Sequence, residues 1–117
     1  MRLLFTAPLW SLLMTAVAVA APLKVGVSGE APFVERSGDK FGGISLTIWR
    51  EIAGINNLDY QLVPQPNAQA NLDALAAGEL DVAIGPITIT PQRVAQPGLD
   101  FTQPYFYAEE AVLVPRE

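Results

Sequence analysis

The sequence predicts an α/β fold, a sheet flanked by helices, and three observations lead there. Strand-like segments alternate with helix-patterned ones in β-α-β-α-β order. Strands joined by helical crossovers form a sheet covered by helices. The chain has 117 residues, 50% of them apolar, which suits a single core of modest size. It has no cysteine, so no disulfide can reinforce that core.

The first segment reads as an address. Met1-Arg2 gives a short positive end, Leu3 to Ala20 is almost entirely apolar, and Ala18 and Ala20 form an A-x-A cleavage pattern. Residues 1–20 are therefore expected to be a signal peptide cut after Ala20, leaving 21–117 as the exported domain. The expected location is periplasmic or otherwise extracytoplasmic.

Leu23 to Val27 alternates apolar with polar or small residues and predicts a strand, which Ser28 to Pro32 breaks. Glu35 to Asp39 is a polar tip between Phe33-Val34 and Lys40-Phe41, suited to a short hairpin. Gly42-Gly43 then opens a helix whose expected apolar face is Ile44, Ile48, Trp49, Ile52 and Ile55, stopped by Gly54 and Asn56-Asn57. Tyr60 to Val63 predicts a second strand ended by Pro64 and Pro66. A second helix is expected from about Ala68 to Ala77, burying Leu72, Leu75 and Ala76, with Gly78 as its C-cap. Leu80 to Ile84 reads as a buried strand, continued in extended form by Pro86 to Thr90. Thr90-Pro91 has the form of an N-cap followed by proline at the first helical position, opening a short helix that ends near Pro97-Gly98. Ala111 to Pro115 is again strand-like.

Composition narrows the chemistry. Without His or Cys, the commonest zinc sites and the Ser-His-Asp and Cys-His nucleophile pairs are excluded. With 12 Asp+Glu against 7 Lys+Arg, the net charge of −5 argues against a nucleic-acid partner. No metal and no cofactor is expected.

The segment Pro86 to Arg93 holds the candidate site. A cation as the third residue of a helix opposes the macrodipole, and a bound carboxylate resolves that conflict by taking a bidentate fork from Arg93 and hydrogen bonds from free amides. The Pro86 carbonyl can accept from an ammonium group, while the Thr88 hydroxyl and amide can donate to a carboxylate. Open α/β sheets bind ligands in the crevice beyond their strand ends, where this segment should lie. The set suits the α-amino and α-carboxyl groups of a free amino acid.

Asp81-Val82-Ala83-Ile84-Gly85-Pro86-Ile87-Thr88-Ile89-Thr90-Pro91-Gln92-Arg93, followed by Asp100-Phe101-Thr102-Gln103-Pro104-Tyr105, resembles the superfamily of family 3 solute-binding proteins and ionotropic glutamate receptor ligand-binding domains. Phe41 to Trp49 resembles the opening of their first helix, and Glu30 to Val34 the loop holding an aromatic that covers the ligand. The resemblance implies lobe one of a type II periplasmic-binding-protein-like fold, with a mixed sheet flanked by helices. Residues 21–117 would be an N-terminal lobe that stops before lobe two, an incomplete bilobed domain. It also implies that Phe33 stacks over the ligand, the Pro86 carbonyl accepts from the α-ammonium, Thr88 binds both α-groups, and Arg93 clamps the α-carboxylate. Trp49 and Tyr105 are expected in the core.

The function so implied is a non-catalytic, exported amino-acid-binding module that presents ligand to an ABC-type membrane permease. The alternative is the ligand-binding segment of a bacterial glutamate-receptor-like channel, the partner then being the channel pore. Gly85-Pro86-Ile87-Thr88 and Phe41-Gly42-Gly43-Ile44-Ser45 lean towards it. An enzyme resembling cyclohexadienyl dehydratases is the third reading, with Glu30, Glu109 and Glu110 the carboxylates expected nearest the cleft.

Overall fold

The computed structural model describes Ala16 and residues 19–116. The signal peptide expected over 1–20 falls outside the described residues except at Ala16, Val19 and Ala20. Among the described residues, no helix is long and apolar enough to cross a membrane.

The main sheet has three parallel strands in the order β4-β1-β5, with β1 Leu23–Val27 central, β4 Tyr60–Pro64 on one side and β5 Val82–Ile84 on the other. A separate antiparallel ribbon pairs β2 Glu35–Ser37 with β3 Lys40–Gly42. Parallel and antiparallel pairings are thus both present, in two sheets. The crossover from β1 to β4 carries α1, Ile44–Ile55; that from β4 to β5 carries α2, Ala68–Ala76, and passes over β1. The α/β fold class is as expected.

Strand β1 is central because Val25 and Val27 serve two parts of one core. Val25 packs with Trp49 and Ala53, and Val27 with Val34 and Leu46; Leu62 and Ile84 border both groups. Its two β-branched residues, Val25 and Val27, fill the core, while Lys24 between Leu23 and Val25 stays exposed.

The buried face of α1 corrects the expected one. Ser45, Leu46, Trp49 and Ala53 face the sheet, whereas Ile44, Ile52 and Ile55 are 38%, 45% and 75% exposed. Trp49 lies on the inward face as expected and Ile48 is half-buried, but the other three isoleucines, though periodic, point away. The helix has no side-chain N-cap; the amides of Ile44 and Ser45 bond instead to the carbonyls of Pro32 and Phe33, at 3.1 and 3.0 Å.

Two further expectations are corrected. Residues 111–115 form no strand and are exposed, because a strand exists only when a neighbour takes up its amides and carbonyls. The helix opened by Thr90 is α3, Pro91–Val94, a single turn that ends before Pro97.

Candidate functional site

The carboxyl ends of the three parallel strands open on one side of the sheet. From β5 the chain enters Gly85-Pro86, with Gly85 at φ +144 and pressed so closely on β1 that a Cβ there would lie 2.0 Å from the Ser28 carbonyl oxygen. No side chain other than glycine's hydrogen fits. Pro86 in turn abuts Gly29, whose absent Cβ would lie 2.3 Å from the proline Cδ. The turn after β5 is therefore seated directly on the loop after β1.

Beyond it, Thr90 caps α3 as the sequence indicates: its side-chain oxygen accepts from the Arg93 amide at 3.3 Å, and Pro91 occupies the first turn. The Arg93 guanidinium folds back, Nη1 donating to the Thr88 carbonyl at 2.9 Å. Thr88 and Arg93 are thus brought together by a main-chain oxygen, which leaves the Thr88 hydroxyl outside that bond. Among the described residues, no hydrogen bond within the chain occupies the Pro86 carbonyl or the Thr88 hydroxyl, and both residues are exposed.

In a one-turn helix Arg93 is both third residue and part of the last turn, where a cation is favoured rather than opposed. The anion-binding amides are also fewer than the sequence suggested. Proline has no N–H, the Arg93 amide is taken by Thr90 Oγ1, and the Val94 amide bonds to the Thr90 carbonyl at 2.9 Å. The helix start therefore offers few free amides to an anion.

Phe33 is half-buried and lies on the neighbouring loop. Its ring meets Phe106 edge-on, centroids 4.9 Å apart, and its carbonyl caps α1. Tyr105 is no core residue: it is 44% exposed, while its hydroxyl donates to the Gly85 carbonyl at 2.8 Å and lies 2.7 Å from Ser45 Oγ. The segment after α3 is thereby tied to both Gly85 and α1, and Phe106 brings it to Phe33. Trp49 is buried, packed edge-on to Tyr60 at 5.4 Å, as expected for core.

The largely exposed segment from Pro86 to Arg93 forms a ledge, and a concavity of about 450 Å³ adjoins it at the ends of β1 and β4, bordered by Ser28, Gly29, Glu30, Arg36, Gln65 and Asn67. Another hollow of about 380 Å³, bordered by Arg50, Asn57, Leu58 and Tyr60, lies at the far end of α1 and away from the ledge. Among the described residues no cluster of acidic side chains could hold a metal ion.

Residues 23–117 match the model of the bacterial extracellular solute-binding proteins, family 3. The chain belongs to that family. Among solved structures, this family 3 chain is similar to the GluR0 ligand-binding core in complex with L-glutamate, at 48% identity and a TM-score of 0.69, over 74% of this chain and 38% of that one. It is also similar to an ancestral cyclohexadienyl dehydratase, at 29% identity and a TM-score of 0.63, over 73% of this chain and 35% of that one. The chain spans little more than a third of the length of these two relatives.

Sequence reasoning missed Asn71, Ser28 and the role of the Tyr105 hydroxyl. Asn71 is fully buried and binds the strand ends behind the ledge. Its only signal was a polar residue beside Leu72 on the inward face of α2.

Proposed function

We propose that this family 3 chain supplies one wall of an exported, non-catalytic amino-acid-binding site. The Arg93 guanidinium takes the α-carboxylate, with the Thr88 hydroxyl beside it. The Pro86 carbonyl accepts from the α-ammonium, and Phe33 borders the aliphatic part. The observation that carries this reading is the Arg93–Thr88 tie at 2.9 Å. It orients a planar cation by a neutral oxygen rather than by an internal acid, so the charge remains available to an anionic guest. Closure of a second lobe over the ligand, read by a membrane permease, would complete the cycle.

A second reading, the ligand-binding segment of a glutamate-receptor-like channel, is favoured by the 48% identity to the GluR0 core. That similarity also makes L-glutamate the first ligand to test. A dehydratase reading draws on the 29% identity to the ancestral enzyme, and a turnover assay on cyclohexadienyl acids separates it from a binder.

The test is a titration of the isotope-labelled protein with L-glutamate and other free amino acids, followed by NMR. Saturable shifts are expected at Thr88, Arg93 and their neighbours, with D-amino acids and amino acid amides much weaker. Arg93→Ala should abolish them, and Arg93→Lys should weaken them by about tenfold or more, since an ammonium cannot reproduce the fork. Unchanged saturation in Arg93→Ala would overturn the assignment.

A further inference from the structure

We propose that Asn71 is a positioning residue for the ligand ledge: from inside the core it fixes the direction in which the chain leaves β5 towards Pro86 and Thr88. This rests on the binding role proposed above for that ledge.

Asn71 projects from α2 and is 0% exposed. Its Nδ2 lies 3.0 Å from Ser28 Oγ, 3.2 Å from the Gly26 carbonyl and 3.3 Å from the Ile84 carbonyl. Two amide hydrogens are thus shared among three acceptors, two on β1 or its exit and one at the last residue of β5. The Ile84 carbonyl also accepts from the Ser28 amide at 3.2 Å, so one small network binds both strands at the point where they end. Gly85-Pro86 follows at once.

The orientation of the amide is fixed, because two of its partners are carbonyls that can only accept. Oδ1 must then point the other way, and among the described residues it has no hydrogen-bond partner. It occupies the space beside Gly26, 2.0 Å from where a Cβ would stand, with Leu80 as the next neighbour. Gly26 and Asn71 are therefore a matched pair. A buried acceptor left unpaired costs stability, and an apolar residue of similar volume would avoid that cost. What the amide supplies and leucine cannot is a polar tie that registers β5 against β1 immediately before the ledge. Ligand groups must be placed to within a fraction of an ångström, so this tie acts on binding without touching ligand.

The test compares Asn71→Leu and Ser28→Ala with wild type. Without ligand, both variants should shift the amide resonances of Gly85, Ile87 and Thr88 while those at the far end of α1 stay in place. With L-glutamate, dissociation constants read from folded-state peaks should rise about tenfold in Asn71→Leu and about threefold in Ser28→Ala. A residue that merely filled the core would alter unfolding in urea and leave those folded-state constants unchanged. Unchanged constants, or ligand-free shifts confined to α2 and β1, would overturn the proposal. If Asn71→Leu fails to fold, Ser28→Ala decides alone. Wild-type protein that binds no amino acid would overturn the ligand reading instead, and the ligand-free shifts at 85–88 would still judge the positioning.

Discussion

Residues 23–84 and residues 85–116 are held by different physics. In the first stretch β1 lies between two strands and under α1, and Val25, Val27, Leu46 and Leu72 are almost wholly removed from water. In the second no residue is fully buried except Gly85, and beyond the Gly85-Pro86 seat order depends on a few contacts: Thr90 to the Arg93 amide, Arg93 to the Thr88 carbonyl, Tyr105 to the Gly85 carbonyl, and Phe106 against Phe33. The first stretch makes the fold and the second makes the ledge. A packed core resists change because every neighbour must move together, whereas a chain held by a few separate contacts can be released one contact at a time. Substitutions in the two stretches should therefore separate loss of folding from loss of site geometry.

The largest effect is expected at Leu46, fully buried where α1 meets Val27 and Val34. Leu46→Ala should cost about 2–5 kcal/mol, measured by urea unfolding. Arg93→Ala loses one exposed hydrogen bond and should cost about 0.5 kcal/mol or less. Comparable losses would mean that the two stretches fold as one unit. Next comes the joint between them. Gly85→Ala must place a Cβ against the Ser28 carbonyl from a backbone at φ +144, and should cost about 1–3 kcal/mol while displacing Pro86 and Thr88. A variant with wild-type stability and wild-type shifts at residues 86–88 would show that the joint is not close-packed.

How much of this was legible in the sequence follows the same division. Strands with a clear pattern and a partner, such as Leu23 to Val27, could be read directly, and so could the capped start of α3, because Thr-Pro states its own mechanism. Of the inward face of α1 only Trp49 could. A row of isoleucines satisfies the same periodicity as Leu46 and Ala53, and only the sheet's position decides between them. Residues 111–115 carry strand propensity without a neighbour to pair with. Asn71 was invisible for the opposite reason: a polar residue on a helix reads as surface until the strand ends it binds are in view. Arg93 is legible as a cation near a helix start, but not for the reason the helix dipole offers. The one-turn length of α3 removes the conflict with the helix dipole, and the tie to Thr88 takes its place as the physical argument.

Tyr105 sharpens the comparison, since it is the one point where the later segment reaches back to both Gly85 and α1. Tyr105→Phe keeps the ring and removes the hydroxyl that bonds the Gly85 carbonyl and Ser45 Oγ. It should cost about 1 kcal/mol in global stability. Hydrogen exchange at Phe101 to Tyr107 should rise much more than exchange in β1. Equal acceleration in both would show that the hydroxyl supports the core rather than the segment.

The smallest effect, that of Thr90→Ala, emerges from two caps of like chemistry on helices of unlike length. Asn67 caps the nine-residue α2, its oxygen accepting from the Ala70 amide at 2.8 Å, and Thr90 caps the four-residue α3 at 3.3 Å. Removing either hydroxyl or amide frees one N–H, so cap chemistry alone predicts equal costs of about 1 kcal/mol. Length decides otherwise. Helix α2 is packed on β1 and β5 and carries Asn71 and Leu72 into the core, so fraying its first turn draws on global stability and Asn67→Ala should show the full cost. Helix α3 buries no residue and can unwind without disturbing the sheet, so Thr90→Ala should lower the urea midpoint only slightly. Its effect should appear instead as faster amide exchange at Arg93 and Val94 and as a looser guanidinium, seen in the Arg93 side-chain resonance. If Thr90→Ala instead costs as much in urea as Asn67→Ala, α3 is coupled to the core and the ledge is stiffer than its exposure suggests.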